Sequence, residues 1–336
     1  MVANWREIAR VNRKKTHYVI LSFVVIYLFL GAFIAILFSP YAYNVDLWPS
    51  IVMLESSINI ISGFMLFAIV CVLFSVLFGA KFSLSGLTAE LITEGQQDKQ
   101  CRQLFHVVEE MRIASGMRIN PKIYVISADY MNAFAAGWSE KDAIVAITRP
   151  LLDVLSREEL QAVMAHELAH IQHADTRVLT VVSTLSGLAV WVVDCLFRSV
   201  LYGGSSRRRS NNQRGGGLAL VVIIALRVLL PIITALLVMY VSRSREMMAD
   251  AGCVKMTRNG RALAQALVKI HQSHKTAKLN KEQPYSSTMH NSLRSMSFMY
   301  SPAEAGVGDS WDIASWFSTH PSLAERLKAL NAEDLL

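Results

Sequence analysis

Two stretches of this chain restrict its fold more than any other feature. Residues 18–38, YVILSFVVIYLFLGAFIAILF, and 58–78, INIISGFMLFAIVCVLFSVLF, each run 21 positions without a charge. A helix rises about 1.5 Å per residue, so either run covers a hydrocarbon core about 30 Å thick. The first run is too long for the apolar core of a signal peptide. No small-x-small cleavage site follows it before Pro40, so we read a retained anchor. Two further apolar runs, about 178–201 and 218–241, are interrupted by Asp194 and Arg198 and by Arg227 and Pro231. Ionisable groups inside a span normally face protein or water. Asp194 and Arg227 lie at matching depths in an antiparallel hairpin, which suggests an ion pair between them.

Charge placement orients the chain. Arg6, Arg10, Arg13, Lys14 and Lys15 precede the first run, whereas the link 39–57 holds no lysine or arginine. The positive-inside rule puts the basic N-terminus (1–17) in the cytoplasm and the link outside. Residues 79–177 are then cytoplasmic. The loop 203–217, GGSSRRRSNNQRGGG, carries four arginines, which disfavours an external position. Either the 178–241 hairpin crosses against the rule or it dips in without spanning. Each run exceeds 20 residues, which favours crossing. The loop has no interleaved aromatics and no binding motif, so nucleic acid is not an expected partner. The bilayer is.

Of 336 residues, 53% are hydrophobic and only 18% charged, against about a quarter charged in soluble domains. Cys71, Cys101, Cys195 and Cys253 form no CxxC pair and read as buried free thiols. In 79–177, helical spacing over 98–116 ends at Gly116. The β-branched runs 121–127 and 143–148 read as strands. Ser156 with Glu159 three residues later forms a capping box that opens a helix over about 156–173. Residues 242–336 return to a soluble composition, with a helix near 260–275, a polar loop to about 310, and a last helix after Pro321.

The chemistry is concentrated in AVMAHELAHIQHAD, residues 162–175. Positions i and i+4 share a helix face, so His166 and His170 can hold one zinc ion. Glu167 stands beside the first histidine, placed to take a proton from an attacking water. Ala162, Ala165 and Ala169 allow a neighbouring element to approach closely. A third ligand is required. His173 would have to reach back a full turn. The metzincin pattern would need histidine at 176, where this chain has Thr176. Glu246 in SRSREMMAD is the better candidate. Asp250, four residues on, can accept the free ring N–H of a ligand histidine and fix its tautomer. For Glu246 to reach that metal, zero or two crossings must separate residues 175 and 242.

NAFAAG (132–137), LLDVLSREELQAVMAHELAHIQHAD (151–175), SRSREMMAD (242–250) and STHPSLAERLKAL (318–330) together resemble the HtpX-type membrane metalloproteases, gluzincins related to the CAAX prenyl proteases. The resemblance runs from about residue 80 to the C-terminal end. It implies an α+β fold: a mostly helical integral membrane protein with about four transmembrane helices and a zinc protease domain with a small β-sheet. It implies a strand carrying Asn132, Ala133, Phe134 and Ala135 that pairs with the substrate backbone. It implies that His320 and Arg326, six residues apart, assist at the scissile carbonyl. The alternative for His320 is that it caps the last helix.

The expectation is a zinc endopeptidase of the membrane with its site on the cytoplasmic side; the resemblance further implies the bacterial cell inner membrane and cleavage of unfolded or damaged membrane proteins in a stress response. A processing protease with one dedicated substrate, such as a lipidated peptide, is the alternative among enzymes. A non-cleaving scaffold is the alternative from another class, and an intact Glu167 opposes it. The residues carry no signal for oligomeric state. The 39–57 link and the 276–310 loop are long for the family.

Overall fold

The computed structural model describes residues 5–38, 51–202 and 243–279, isolated positions between 221 and 229, and residues 321–335. Three long helices pack on one another: α1 (Trp5–Phe38), α2 (Ile51–Phe82) and α6 (Asp175–Tyr202). Their shared core holds Val19, Phe23, Tyr27, Cys71, Val178, Val182 and Leu185. Tyr27 donates its hydroxyl to the Leu185 carbonyl at 2.8 Å, which satisfies the one polar atom of a buried ring. The opposite faces are apolar and exposed, with Leu21, Val25 and Phe29 on α1 and Leu66, Ile69, Leu73 and Leu77 on α2. Contiguous apolar surface of this kind marks contact with lipid or protein.

Two helices among the described residues are long and apolar enough to cross a membrane: α2 over Met65–Phe82 and α6 over Asp175–Cys195. The sequence expectation of four spans is met by two. The 18–38 run lies wholly within α1, and the 218–241 run falls almost entirely outside the described residues, as does the 203–217 loop. The proposed Asp194–Arg227 pair also lies outside them, because Arg227 does. Helix α2 begins at Ile51, seven positions ahead of the uncharged run. Among the cysteines, Cys71, Cys101 and Cys253 are buried and free, whereas Cys195 is exposed on α6. Position 195 falls on the outer face of that helix, which apolar periodicity alone did not resolve.

The remaining elements are β1 (Thr88–Ile92), α3 (Lys99–Ser115), β2 (Lys122–Ser127), β3 (Ala133–Ala136), β4 (Ile144–Thr148), α4 (Arg149–Val154), α5 (Arg157–Gln172), α7 (Arg243–Thr257), α8 (Gly260–Leu279) and α9 (Leu323–Ala329). Helix α3 starts where the Asp98 side chain accepts the Gln100 N–H and stops at Gly116, whose φ of 75° suits glycine. The mixed sheet has strand order β1-β2-β4-β3, parallel only between β2 and β4. One face, with Val125, Ala135, Val145 and Ile147, joins the core built by α3, α5 and α8. The other, with Ile126, Phe134, Ile144 and Ala146, packs on Ala80 at the end of α2. Strands β3 and β4 are therefore covered on both sides and read as apolar runs for that reason, whereas the edge strand β1 is mostly exposed.

Candidate metal centre

Helix α5 carries HELAH on a segment fixed at both ends. Ser156 accepts from the Glu159 N–H, and Glu159 reaches back to the Ser156 N–H at 2.7 Å, so the capping box predicted from sequence is formed. His173 closes the helix, its N–H donating to the Ala169 carbonyl. Helix α7 lies against α5 at very close range. A Cβ on Gly252 would stand 2.7 Å from the Ala169 Cβ, so glycine is what lets the two backbones meet. That approach brings Glu246 and Asp250 under the two histidines.

Three ligand atoms converge. His166 Nε2 and His170 Nε2 are 3.1 Å apart, and they lie 3.5 and 3.7 Å from the Glu246 carboxylate oxygens. All three side chains are buried and form one candidate metal cluster. His166 Nδ1 is 2.9 Å from Asp250 Oδ1, and His170 Nδ1 is 2.9 Å from Asp175 Oδ2. With a proton on each Nδ1, both Nε2 lone pairs face each other and a carboxylate. Three acceptors share a dry space only when a proton or a metal cation joins them. At bond lengths of about 2.0–2.1 Å, the edges of a tetrahedral zinc site are about 3.3 Å, close to the separations found here.

The carboxylates draw positive charge to the cluster: burial disfavours a charged His166, yet Asp250 and Glu246 outweigh it and hold the imidazole up to about 9, a pull that a metal cation would meet in place of the proton. Burial pushes the Glu167 carboxyl up, against the pull of His166 and His170. Glu167 Oε1 is buried and has no hydrogen-bond partner among the described residues. Asp175, Asp250, Glu246 and Glu167 place four buried carboxyl groups beside two buried guanidiniums, Arg245 and Arg326, an acidic excess that favours a bound cation.

His173 is buried at the end of α5 and is not part of the ligand cluster. Asp175 is both the first residue of α6 and the partner of His170, so the metal site is tied directly to an apolar helix. Arg326 comes from α9 and donates to Asp250 through Nε at 2.9 Å and Nη2 at 2.6 Å. His320 lies outside the described residues.

Strand β3 is an edge of the sheet and packs along α5. Thr148 N–H donates to the Asn132 carbonyl, so by alternation the backbone groups of Ala133 and Ala135 point away from β4. The Ala133 N–H is taken by Asn132 Oδ1 at 2.9 Å, and beyond the strand the Gly137 N–H donates to Thr180 Oγ1 on α6 at 3.0 Å. Phe134 instead turns into the core on the α2 side.

Two residues went unnoticed in the sequence. Arg245 is buried with Nη2 3.0 Å from Glu246 Oε1, beside the ligand it precedes. His274 is buried on α8 with Nε2 3.1 Å from the Met131 carbonyl, just ahead of β3. A charged residue adjoining a proposed ligand was a usable signal for Arg245. His274 carried none.

A buried His–His–Glu constellation with an adjacent unengaged glutamate, on an HExxH helix, defines the class as a metallopeptidase. Comparison with known proteins agrees with that class. The model of peptidase family M48 matches residues 98–334. The chain is 31% identical to a Protease HtpX homolog of Helicobacter pylori (strain Shi470), over 98% of this chain and 99% of that one. It is 34% identical to Protease HtpX of Legionella pneumophila (strain Corby), over 68% and 75%. The chain belongs to peptidase family M48. The crystal structure of S. mikatae Ste24p overlaps 82% of this chain and 58% of that one, at 19% identity and a TM-score of 0.43, a likeness too loose to argue from.

Proposed function

We propose that the chain is a membrane-embedded, zinc-dependent endopeptidase. The observation that carries this is the convergence of His166 Nε2, His170 Nε2 and Glu246 beside the unpartnered carboxylate oxygen of Glu167. His166, His170 and Glu246 would hold the ion. When bound, zinc supplies Lewis acidity to the attacking water and the scissile carbonyl.

The chain's own residues do the rest. Asp250 and Asp175 fix the two imidazoles with Nε2 turned inward. Glu167 takes the proton of the attacking water and returns it to the leaving amine. Burial raises its carboxyl toward working pH, which suits a group that must both accept and donate. An extended peptide adds to the outer edge of β3 through the Ala133 carbonyl and the backbone of Ala135, the Ala133 N–H being taken by Asn132, and so runs beside the helix that carries Glu167. His320 assists at the carbonyl.

The substrates in this reading are unfolded or damaged membrane proteins, cut on the cytoplasmic side of a bacterial inner membrane under stress. Its support is the direct continuity of the site with α6, through Asp175, and the apolar outer faces of α1 and α2. The test uses the full chain in detergent with an unfolded protein as substrate. A strong chelator is expected to abolish cleavage, and zinc, but not magnesium, to restore it. Cleavage that persists undiminished after the metal is stripped would refute zinc dependence.

A further inference from the structure

The family resemblance sends Arg326 to the scissile carbonyl. Its surroundings point elsewhere. The guanidinium is 2% exposed and grips both oxygens of Asp250, through Nε at 2.9 Å and Nη2 at 2.6 Å. Asp250 Oδ1 in turn lies 2.9 Å from His166 Nδ1. Nδ1 and Nε2 are on opposite edges of the imidazole, and it is Nε2 that faces His170 and Glu246. Arg326 therefore stands behind the ligand.

We infer that Arg326 is a positioning residue of the metal centre, acting through Asp250 on His166. The inference rests on the metallopeptidase reading. A lone aspartate holding a ring N–H can still swing about its own side-chain bonds. A planar fork donating to both oxygens fixes the carboxylate plane, and with it the ring. Arg326 Nη1 is also 3.9 Å from Glu246 Oε2, which places positive charge beside the third ligand. Without the arginine, Asp250 keeps a buried charge supported, among the described residues, by His166 alone.

Arg326 arrives 76 residues after Asp250, on the short helix α9. That helix is set by its own capping box, Ser322 with Glu325, and by Leu327 and Leu330 in the main core. Docking of the C-terminal helix is thus the step that completes the orientation of a zinc ligand.

The test uses the full-length protein in detergent, with zinc affinity read by competition against a chelating dye and kcat measured at saturating zinc. The variants are Arg326→Met, Arg326→Lys, Asp250→Asn and the Arg326→Met/Asp250→Asn pair. Positioning predicts a 10–100-fold loss of zinc affinity for Arg326→Met, the range for residues that orient metal ligands. Arg326→Lys, which keeps charge but loses the fork, should fall between it and wild type. The double variant should lose no more affinity than the worse single one. If Arg326→Met does not fold, the lysine variant decides. Unchanged zinc affinity with kcat at least 100-fold lower would place Arg326 at the substrate and overturn the inference, as would losses that simply multiply in the double variant. Failure of the wild type itself to bind zinc would instead overturn the metallopeptidase reading.

Discussion

Proton placement governs the site at the scale of single residues. Each histidine of the candidate metal cluster has a carboxylate 2.9 Å from its Nδ1, and the two carboxylates come from different elements, Asp250 on α7 and Asp175 at the start of α6. His274 shows the opposite case, a histidine that must stay neutral. Burial lowers it to about 4, even though the Met131 carbonyl favours its protonated form. Because its folded value lies below the usual 6.5, the unfolded chain binds the extra proton first. Stability is then full above about pH 6.5 and drains away toward pH 4, by on the order of 3 kcal/mol. Thermal melts of wild type and His274→Gln from pH 7.5 to 4.5 should show a shallower decline for the variant. Parallel declines would show that His274 is not the group responsible.

Among elements, the close contact of α5 with α7 matters most, because it puts Glu246 within reach of the histidines. Gly252→Ala would set two methyl carbons 2.7 Å apart, both on helix backbones that cannot yield separately. The helices must part, at a cost of about 1–3 kcal/mol. We expect a lower melting temperature together with weaker zinc binding, whereas Gly63→Ala, with nothing within 4 Å of the new methyl, should change neither. Normal zinc affinity in Gly252→Ala would mean that the site tolerates a shift of α7. The sequence already pointed to this contact through Ala162, Ala165 and Ala169, but it could not show that Gly252 was the facing residue, because facing is set by tertiary packing.

Across the whole molecule, one chain is bound together by contacts between distant segments. HELAH and the capping box at Ser156 could be read in advance, since each depends on spacing within one helix, and Glu246 could be read from its four-residue spacing to Asp250. Strand β1 could not, because TAELI is a polar, mostly exposed edge strand with a weak period. Nor could the grip of Arg326 on Asp250, which needs two segments 76 residues apart to meet. The same distance problem hid the tie between Gly137 and Thr180, which fastens the end of the β3 segment to an apolar helix.

The central claim is that Glu167 performs the proton transfer at a metal held by His166, His170 and Glu246. The most direct measurement compares wild type with Glu167→Gln in one preparation, reading zinc content and cleavage of an unfolded protein together. General acid–base catalysis is typically worth about 10²–10⁴-fold, so the variant should keep its zinc and lose activity by that factor. A variant that holds zinc and cleaves at the wild-type rate would contradict the account.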